Sequence, residues 1–412
     1  MVKAASLSCP NCGGPVTLRG FAHTLSVVCP QCLSVLDTFS PLVQILQTFQ
    51  GKTRIEPTIP LGSRGKFGDT NFEVIGFQIR EVQTEDANYG WAEYLLFNPY
   101  KGFRYLSEYQ GHWNYIRVAH SLPEPYGTAM RFESNGFSRF SQADAVTSYV
   151  IGEFPWRVRT GDRATVNDYI SPPFMLSSEQ VENEVTWSLG EYYSGAQIWK
   201  AFQLPGKPPP AQGVFANQPS PVGGTVKAAW KTWVLLMAAL LAIVFFFSVT
   251  AGRREVFRQK YNFTPGTTSE ASYVTEPFEL TGKPSNVEIK IDTDLRSDWA
   301  YFNFALINEG TGQTRDFGRE VSYYGDEGSP RDRVVIPHVA SGKYYLRVEP
   351  EKTVNSGGLK YELTVRRDVP TYGWFWVCAV LLTIPPVVKS IRRASFETTR
   401  WRESDFSRTS GK

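Results

Sequence analysis

Residues 233–251 read WVLLMAALLAIVFFFSVTA, without one charged side chain. Eleven of them are Val, Leu, Ile or Phe. Together these are worth about −3 to −6 kcal/mol on a bilayer-insertion scale. The length is close to the roughly 20 residues that cross a hydrocarbon core. Trp230 and Trp233 stand where an interfacial aromatic belt would hold them. The stretch predicts a transmembrane helix over 229–252. A second apolar stretch, residues 369–388, reads VPTYGWFWVCAVLLTIPPVV. Tyr372, Trp374 and Trp376 mark one end; Lys389, Arg392 and Arg393 mark the other. Pro385 and Pro386 should kink its last turn, which lipid tolerates only where the freed carbonyls find other partners. It predicts a second span over 369–391, with Cys378 as a small apolar filler.

The flanking charges disagree about orientation. Lys227 and Lys231 precede the first span, and Arg253, Arg254, Arg258 and Lys260 follow it. Arg366 and Arg367 precede the second, and Lys389, Arg392, Arg393, Arg400 and Arg402 follow it. Cations favour the cytoplasmic side, but the rule weakens across a loop as long as residues 253–368. The N-terminal cysteines break the tie.

Those cysteines stand in two hooks, CPNC at 9–12 and CPQC at 29–32. The spacing is that of a zinc ribbon. Cys9, Cys12, Cys29 and Cys32 are the expected ligands of one structural Zn²⁺, a closed tetrahedral site with no position left for chemistry. Gly13 and Gly14 give the first hook room to turn. A ribbon over residues 1–50 is too small to fold without the metal. Thiols that bind metal belong in a reducing compartment. Residues 1–8 leave no room for a leader before the first hook. Both ends are therefore expected in the cytoplasm, with residues 255–368 outside.

The 412 residues carry a formal net charge of +3, with 42% hydrophobic and 14% aromatic residues. Abundant aromatics favour β-rich domains, and the balanced charge excludes a dedicated nucleic-acid binder. Residues 57–204 predict a two-lobed β domain. Short strands over 72–79, 94–98, 103–109 and 113–118 form one lobe. Segments 143–151, 156–160, 169–170 and 184–193 form the other. Gly76 is expected at a bulge or close approach, and Trp91, Trp156 and Trp187 in the core. Residues 205–228, rich in Pro and Gly, predict a semi-rigid linker to the membrane. Residues 255–368 predict a β-sandwich from alternating strands over 287–291, 300–307, 333–336, 343–348 and 359–365. Residues 392–412 form a basic tail. The fold class is thus mainly β in a multidomain membrane protein: a ribbon, a two-lobed domain, and two helices flanking a sandwich.

Five stretches occur in order within residues 57–204: GWAEYLL at 90–96, GFRYL at 102–106, GEFPW at 152–156, DYISPP at 168–173 and EVTWSLGEY at 184–192. Together they resemble a bacterial domain-of-unknown-function family, number 4178. That resemblance implies a fold and a bacterial setting and supplies no activity; with the two spans, the expected location is the bacterial inner membrane. GKYYLRV at 342–348 and YELTV at 361–365 resemble the last two strands of prepeptidase-C-type sandwiches.

Catalytic patterns are missing from the sequence. His23, His112, His120 and His338 fall in no metal-ligand or nucleophile-activating spacing. Nothing matches a GxSxG elbow, a P-loop or a dinucleotide fingerprint. Asp162, Asp168, Glu179, Glu182, Glu184 and Glu191 cluster in the second half of the domain, without a sign that any two converge. Asp292, Asp294 and Asp298 alternate as Ca²⁺ ligands could, but lack the Gly and Glu of an EF-hand loop. The ribbon offers nucleic acid only Lys3, Arg19 and Phe21, too few for a phosphate-driven complex. The expected function is a non-enzymatic scaffold or envelope-linked sensor that binds protein partners through its ribbon and β domain. The alternatives are a membrane-anchored, nucleic-acid-associated ribbon protein and a membrane enzyme with an unrecognised site.

Overall fold

The computed structural model describes residues 5–20, 23–40, 43–48, 54–83, 88–265, 272–325, 327–352 and 357–406. Lys3 and Phe21, the candidate nucleic-acid contacts, lie outside them. The chain forms two compact units, Met1–Lys227 with Val388–Lys412, and Ala228–Val387.

In the first unit, β1 (Ala5–Ser8) and β2 (Pro15–Leu18) form a hairpin, and β3 (Ser26–Val28), β4 (Val35–Asp37) and β5 (Gln44–Gln47) form a small meander. Then come β6 (Arg64–Phe67), β7 (Thr70–Gln83), β8 (Asn88–Asn98), β9 (Gly102–Tyr109) and β10 (His112–Val118). The short β11 (Glu124–Tyr126) and β12 (Ala129–Phe132) lead into β13 (Asn135–Phe154), β14 (Arg163–Ser171), β15 (Phe174–Val181) and β16 (Glu184–Ser194). Helix α1 (Gly195–Phe202) follows.

The expected two lobes are one closed barrel. β7 to β10 form one antiparallel meander and β13 to β16 another, and they join at both edges. β10 pairs with β16, His112 opposite Ser194, and β7 pairs with β13, Gly76 opposite Gly152. Closure removes the exposed strand edges that two separate lobes would leave. Gly76 sits at a register shift, as its sequence context suggests. A side chain at Gly76 would strike the carbonyl of Glu153, and one at Gly152, whose φ is +88°, the carbonyl of Ile75. Only glycines let these two strands cross so closely.

Outside the barrel, α1 is fixed by a capping box in which Gln197 Oε1 accepts from Ser194 N at 2.8 Å. Its buried face, Ile198, Trp199 and Phe202, packs on Phe67, Phe72 and Trp113. Each such side chain contributes roughly 1.5–3 kcal/mol of apolar burial. The tryptophans that fill cores are therefore Trp113 and Trp199. Trp91, Trp156 and Trp187, expected there, are only half-buried.

The ribbon is not an independent domain. Strand β3 pairs with the end of β13, Val27 opposite Glu153, so the ribbon meander continues the barrel sheet. Val28 and Val35 pack with Ile75, Leu95, Phe97, Val150 and Phe154. The Glu153 carboxylate, 2% exposed, accepts hydrogen bonds from Arg19 N (2.6 Å), Gly20 N (2.8 Å) and Thr24 Oγ1 (2.8 Å).

The presumed linker is docked as well. Asn217 donates to Asn114 Oδ1 at 2.7 Å and to the Pro173 carbonyl at 3.0 Å. Phe215 stacks on His112 with ring centroids 5.4 Å apart. Prolines keep this segment out of regular structure, while residues remote in sequence hold it to the barrel.

Helix α2 (Gly223–Thr250) and helix α3 (Gly373–Arg402) are long and apolar enough to cross a membrane. Only 6% and 11% of their most apolar stretches is buried, unlike the core helix of a soluble protein. α3 runs helically through Pro385 and Pro386 and on to Arg402. Much of the expected basic tail is thus helix, and its end packs on the barrel: Trp401 lies 5.6 Å from Phe140, and Asp405 Oδ2 accepts from Gln142 N at 3.0 Å.

In the second unit, β17 (Arg254–Phe263), β18 (Tyr273–Val274), β19 (Phe278–Leu280), β20 (Ser285–Thr293), β21 (Asp298–Asn308), β22 (Thr314–Tyr324), β23 (Glu327–Gly328), β24 (Arg331–Val339), β25 (Gly342–Glu351) and β26 (Leu359–Arg367) form two antiparallel sheets. One runs β17-β26-β20-β24; the other runs β25-β21-β22-β23 with β18 and β19 on its edge. Val287, Ile289, Ile291, Leu363 and Val365 of the first meet Phe302, Phe304, Leu306, Leu346 and Val348 of the second. This is the alternating core of a sandwich.

Candidate metal centre and barrel lumen

Each cysteine hook closes on itself. Gly13 N donates to Cys9 O at 2.8 Å and Leu33 N to Cys29 O at 3.0 Å, with Gly13 at φ 71° and Leu33 at φ 57°. These turns bring the four sulfurs of Cys9, Cys12, Cys29 and Cys32 within 4.8 Å of one another. Cys9 Sγ lies 3.6 Å from Cys32 Sγ, and Cys12 Sγ 3.7 Å from Cys29 Sγ. Four thiolates around a tetrahedral ion at about 2.3 Å stand about 3.8 Å apart, whereas disulfide sulfurs lie about 2.05 Å apart. The cluster fits a metal ion. Burial pushes the Cys29 thiol up to about 12. Burial also works against the Cys32 thiolate, but hydrogen bonds from Ser34 and Asn11 outweigh it and bring Cys32 down to about 6. Asn11 Nδ2 in turn donates to Ser34 Oγ at 2.9 Å, an outer layer of support around the sulfurs.

The barrel interior is polar. Arg80 Nη1 on β7 donates to Glu179 Oε1 on β15 at 2.6 Å. β13 and β14 separate those strands, so the contact is made through the lumen. Strand alternation places Gln78, Trp91, Glu93, Tyr105, Asp168 and Ser177 on the same inner face. Glu93 accepts from Gln78 Nε2 at 2.6 Å and from Trp91 Nε1 at 2.7 Å. Asp168 accepts from Ser177 Oγ at 2.6 Å and Ser141 Oγ at 3.0 Å. Burial raises Asp168 above the usual carboxylate range, with both serines opposing it. Burial likewise raises Glu179 against the pull of Arg80. Tyr105 is pushed up to about 12 by burial, with Glu93 and Glu179 adding to the effect. Arg80 is 5% exposed, and its Nε finds no partner among the described residues. Trp91, Glu93, Asp168 and Ser177 keep partial exposure although they face inward.

Two segments pack on this inner face. The ribbon packs on the inner-face residues Ile75, Leu95 and Phe97. Elsewhere on that face, His112 Nδ1 pairs with Tyr192 Oη at 2.9 Å, and His112 Nε2 donates to the Gln212 carbonyl at 2.9 Å. Asn114 holds Asn217. The segment around residues 212–217 thus plugs the barrel opposite the ribbon.

Residues 60–195 match the model of a domain of unknown function, DUF4178. The barrel is a DUF4178 domain. A comparison with curated proteins found no match. Among solved structures, the Cry4Aa toxin from Bacillus thuringiensis aligns over 72% of this chain and 52% of its own, at 9% identity and a TM-score of 0.19. The chain therefore spans about half the length of that toxin. PNGF-II aligns over 72% and 68%, at 8% identity and a TM-score of 0.20.

Of the six clustered carboxylates, the DUF4178 barrel brings only Asp168 and Glu179 inward, where Glu93 joins them. Asp162, Glu182, Glu184 and Glu191 are exposed. His112 is the buried histidine, and it holds the plug; His23, His120 and His338 are exposed. The Ca²⁺ arrangement fails. Lys290 and Arg331 hold Asp292 at 2.6 and 2.9 Å, Lys352 holds Asp298 at 3.0 Å, and Asp294 Oδ1 accepts from Lys360 N at 2.8 Å. The sequence reading missed Arg80 and Glu93. Each lies in an alternating strand, where a charge reads as solvent-facing unless the sheet is known to close.

Proposed function

We propose that the protein is a bacterial inner-membrane sensor or scaffold without catalytic activity of its own. In this reading α2 and α3 span the bilayer, both termini are cytoplasmic, and the sandwich stands outside. The cysteine cluster holds a structural Zn²⁺ that keeps the ribbon seated on the barrel. The ribbon and the DUF4178 barrel then bind protein partners in the cytoplasm.

One observation carries the reading. Arg400, at the end of α3, donates to the carbonyl of Gln218 at the plug. Its guanidinium is 3% exposed, also pairs with Glu397 at 2.8 Å, and lies 5.1 Å from the Phe396 ring centre. Ser404 Oγ donates to the Phe140 carbonyl at 2.5 Å and fixes the segment to β13. The same helix that crosses the membrane therefore ends on the segment that stops the lumen. A shift or rotation of α3 would pull on the plug, and the exposed face of the barrel would report it to partners.

The test is hydrogen exchange on the full-length protein in a membrane mimetic. Arg400→Ala should speed exchange over residues 210–218 while leaving the sandwich strands unchanged. Unaltered protection of 210–218 would mean that α3 does not hold the plug, and the sensor reading would fall.

A further inference from the structure

A cavity of about 360 Å³ lies where the sandwich meets the ends of the two apolar helices, lined by Phe247, Thr250, Asn286, Asp368, Tyr372 and Trp374 among others. Its size falls within the roughly 300–1,000 Å³ of small-molecule sites. Hydrogen bonds hold its frame. Asn286 Nδ2 donates to the Val369 carbonyl at 3.0 Å, and Gly252 N donates to Asp368 Oδ2 at 2.7 Å. Tyr372 Oη donates to Ser248 Oγ at 3.0 Å, tying α3 to α2.

The lining itself describes an occupant. Among the described residues Asp368 is the one charged side chain in it. Its Oδ2 takes the Gly252 N–H, while its Oδ1 accepts no hydrogen bond among the described residues. Arg253 and Arg254 follow α2 without lining the cavity, and Arg253 Nη2 donates to Ser248 Oγ at 3.3 Å. Three aromatic side chains, Phe247, Tyr372 and Trp374, complete the wall. A carboxylate beside aromatic rings is complementary to an ammonium group. The carboxylate supplies charge and an acceptor, and the rings attract a cation through their quadrupoles. Phe247 (54% exposed) and Trp374 (38% exposed) also continue onto the bare apolar faces of α2 and α3. An apolar path therefore leads from the acidic cavity along the helices.

We infer that this cavity seats the ammonium head of a zwitterionic phospholipid, phosphatidylethanolamine. The ammonium donates to Asp368 Oδ1 and lies against Trp374, and the acyl chains follow Phe247 onto the helices. A primary ammonium suits the open carboxylate oxygen because it carries N–H donors, which the quaternary nitrogen of phosphatidylcholine lacks. The inference rests on the membrane-spanning reading above. A lipid held there makes the sandwich–helix junction responsive to the composition of the surrounding leaflet.

The test uses full-length protein stripped of lipid in detergent, then offered phosphatidylethanolamine, phosphatidylcholine or phosphatidylglycerol and weighed by native mass spectrometry. One phosphatidylethanolamine should remain per chain, favoured over phosphatidylglycerol by about tenfold, the order expected of one charge-assisted contact with a cation–π contact. Over phosphatidylcholine the preference should be about fivefold, for the lost hydrogen bond. Asp368→Asn keeps an acceptor for Gly252 N and removes the charge, and should abolish the preference over phosphatidylglycerol. Should that variant lower the thermal midpoint, Trp374→Leu, at an exposed position, carries the test by weakening phosphatidylethanolamine retention about threefold. Either competing lipid retained as well as phosphatidylethanolamine, or a preference unchanged in both variants, would overturn the inference. O-phosphoethanolamine at equal concentration should not displace the lipid; if it does, the occupant is a free amine and the lipid assignment is wrong. Carbonate extraction of cell membranes separates the two readings. A chain that is released disproves the spans, whereas a resistant chain without lipid preference disproves only the cavity's occupant.

Discussion

Glu153→Ala should weaken the ribbon and the barrel together. The carboxylate joins them by accepting from Arg19 N, Gly20 N and Thr24 Oγ1 at 2.6 to 2.8 Å, in a site where it is 2% exposed. Hydrogen bonds to a charged acceptor are worth about 1.5–3 kcal/mol each, but removing the acceptor mainly strands the donors. With the Gly20 N–H buried and the Arg19 N–H partly so, the total cost is about 3–5 kcal/mol. For a unit of this size that lowers the melting midpoint by about 6–20 °C. Glu153→Gln keeps an acceptor oxygen and should lose only about 1–2 kcal/mol. The assay is thermal unfolding of the full chain in detergent, followed by barrel tryptophan fluorescence and by metal release to a colorimetric chelator. In the alanine variant both signals should move down together. An unchanged midpoint with normal metal retention would show that the two parts are energetically independent, and would refute the reasoning.

Two further outcomes follow from the same contacts. Cys12→Ser should abolish stoichiometric zinc in elemental analysis and, because Val28 and Val35 share a core with Ile75 and Phe154, should also lower the barrel's midpoint; zinc retained at one per chain would exclude Cys12 as a ligand. Asp168 has its folded carboxyl raised above 3.8, chiefly by burial. Its contribution to stability is therefore present below that value and lost as pH rises through the folded one. Asp168→Asn, which cannot ionise, should gain on the wild type as pH rises from about 4; a midpoint difference that does not change with pH would mean that Asp168 ionises freely.

What the sequence displays depends on how local the cause is. The cysteine hooks are legible because four ligands in two short loops leave little else for them to do. The apolar helices are legible for the same reason, although α3 continues past its double proline to Arg402. The barrel is not, because its closure depends on Gly76 meeting Gly152 and His112 meeting Ser194. No local pattern reports such distant pairings. That single omission hides the lumen, since Arg80, Glu93 and Asp168 alternate with apolar residues as solvent-facing residues do. The plug is hidden differently. Its prolines rightly exclude regular structure, but they read as a semi-rigid linker, whereas His112, Asn114 and Arg400 decide where it rests. Helix α1, started by the Ser194–Gln197 capping box, falls in a domain expected to be β throughout.

Membrane topology tests the central claim most directly, because the sensor reading needs the sandwich and the barrel on opposite sides. Alkaline phosphatase fused after Gly328 should be active, and fused after Lys412 inactive. Activity only at Lys412 would place the sandwich in the cytoplasm and contradict the account.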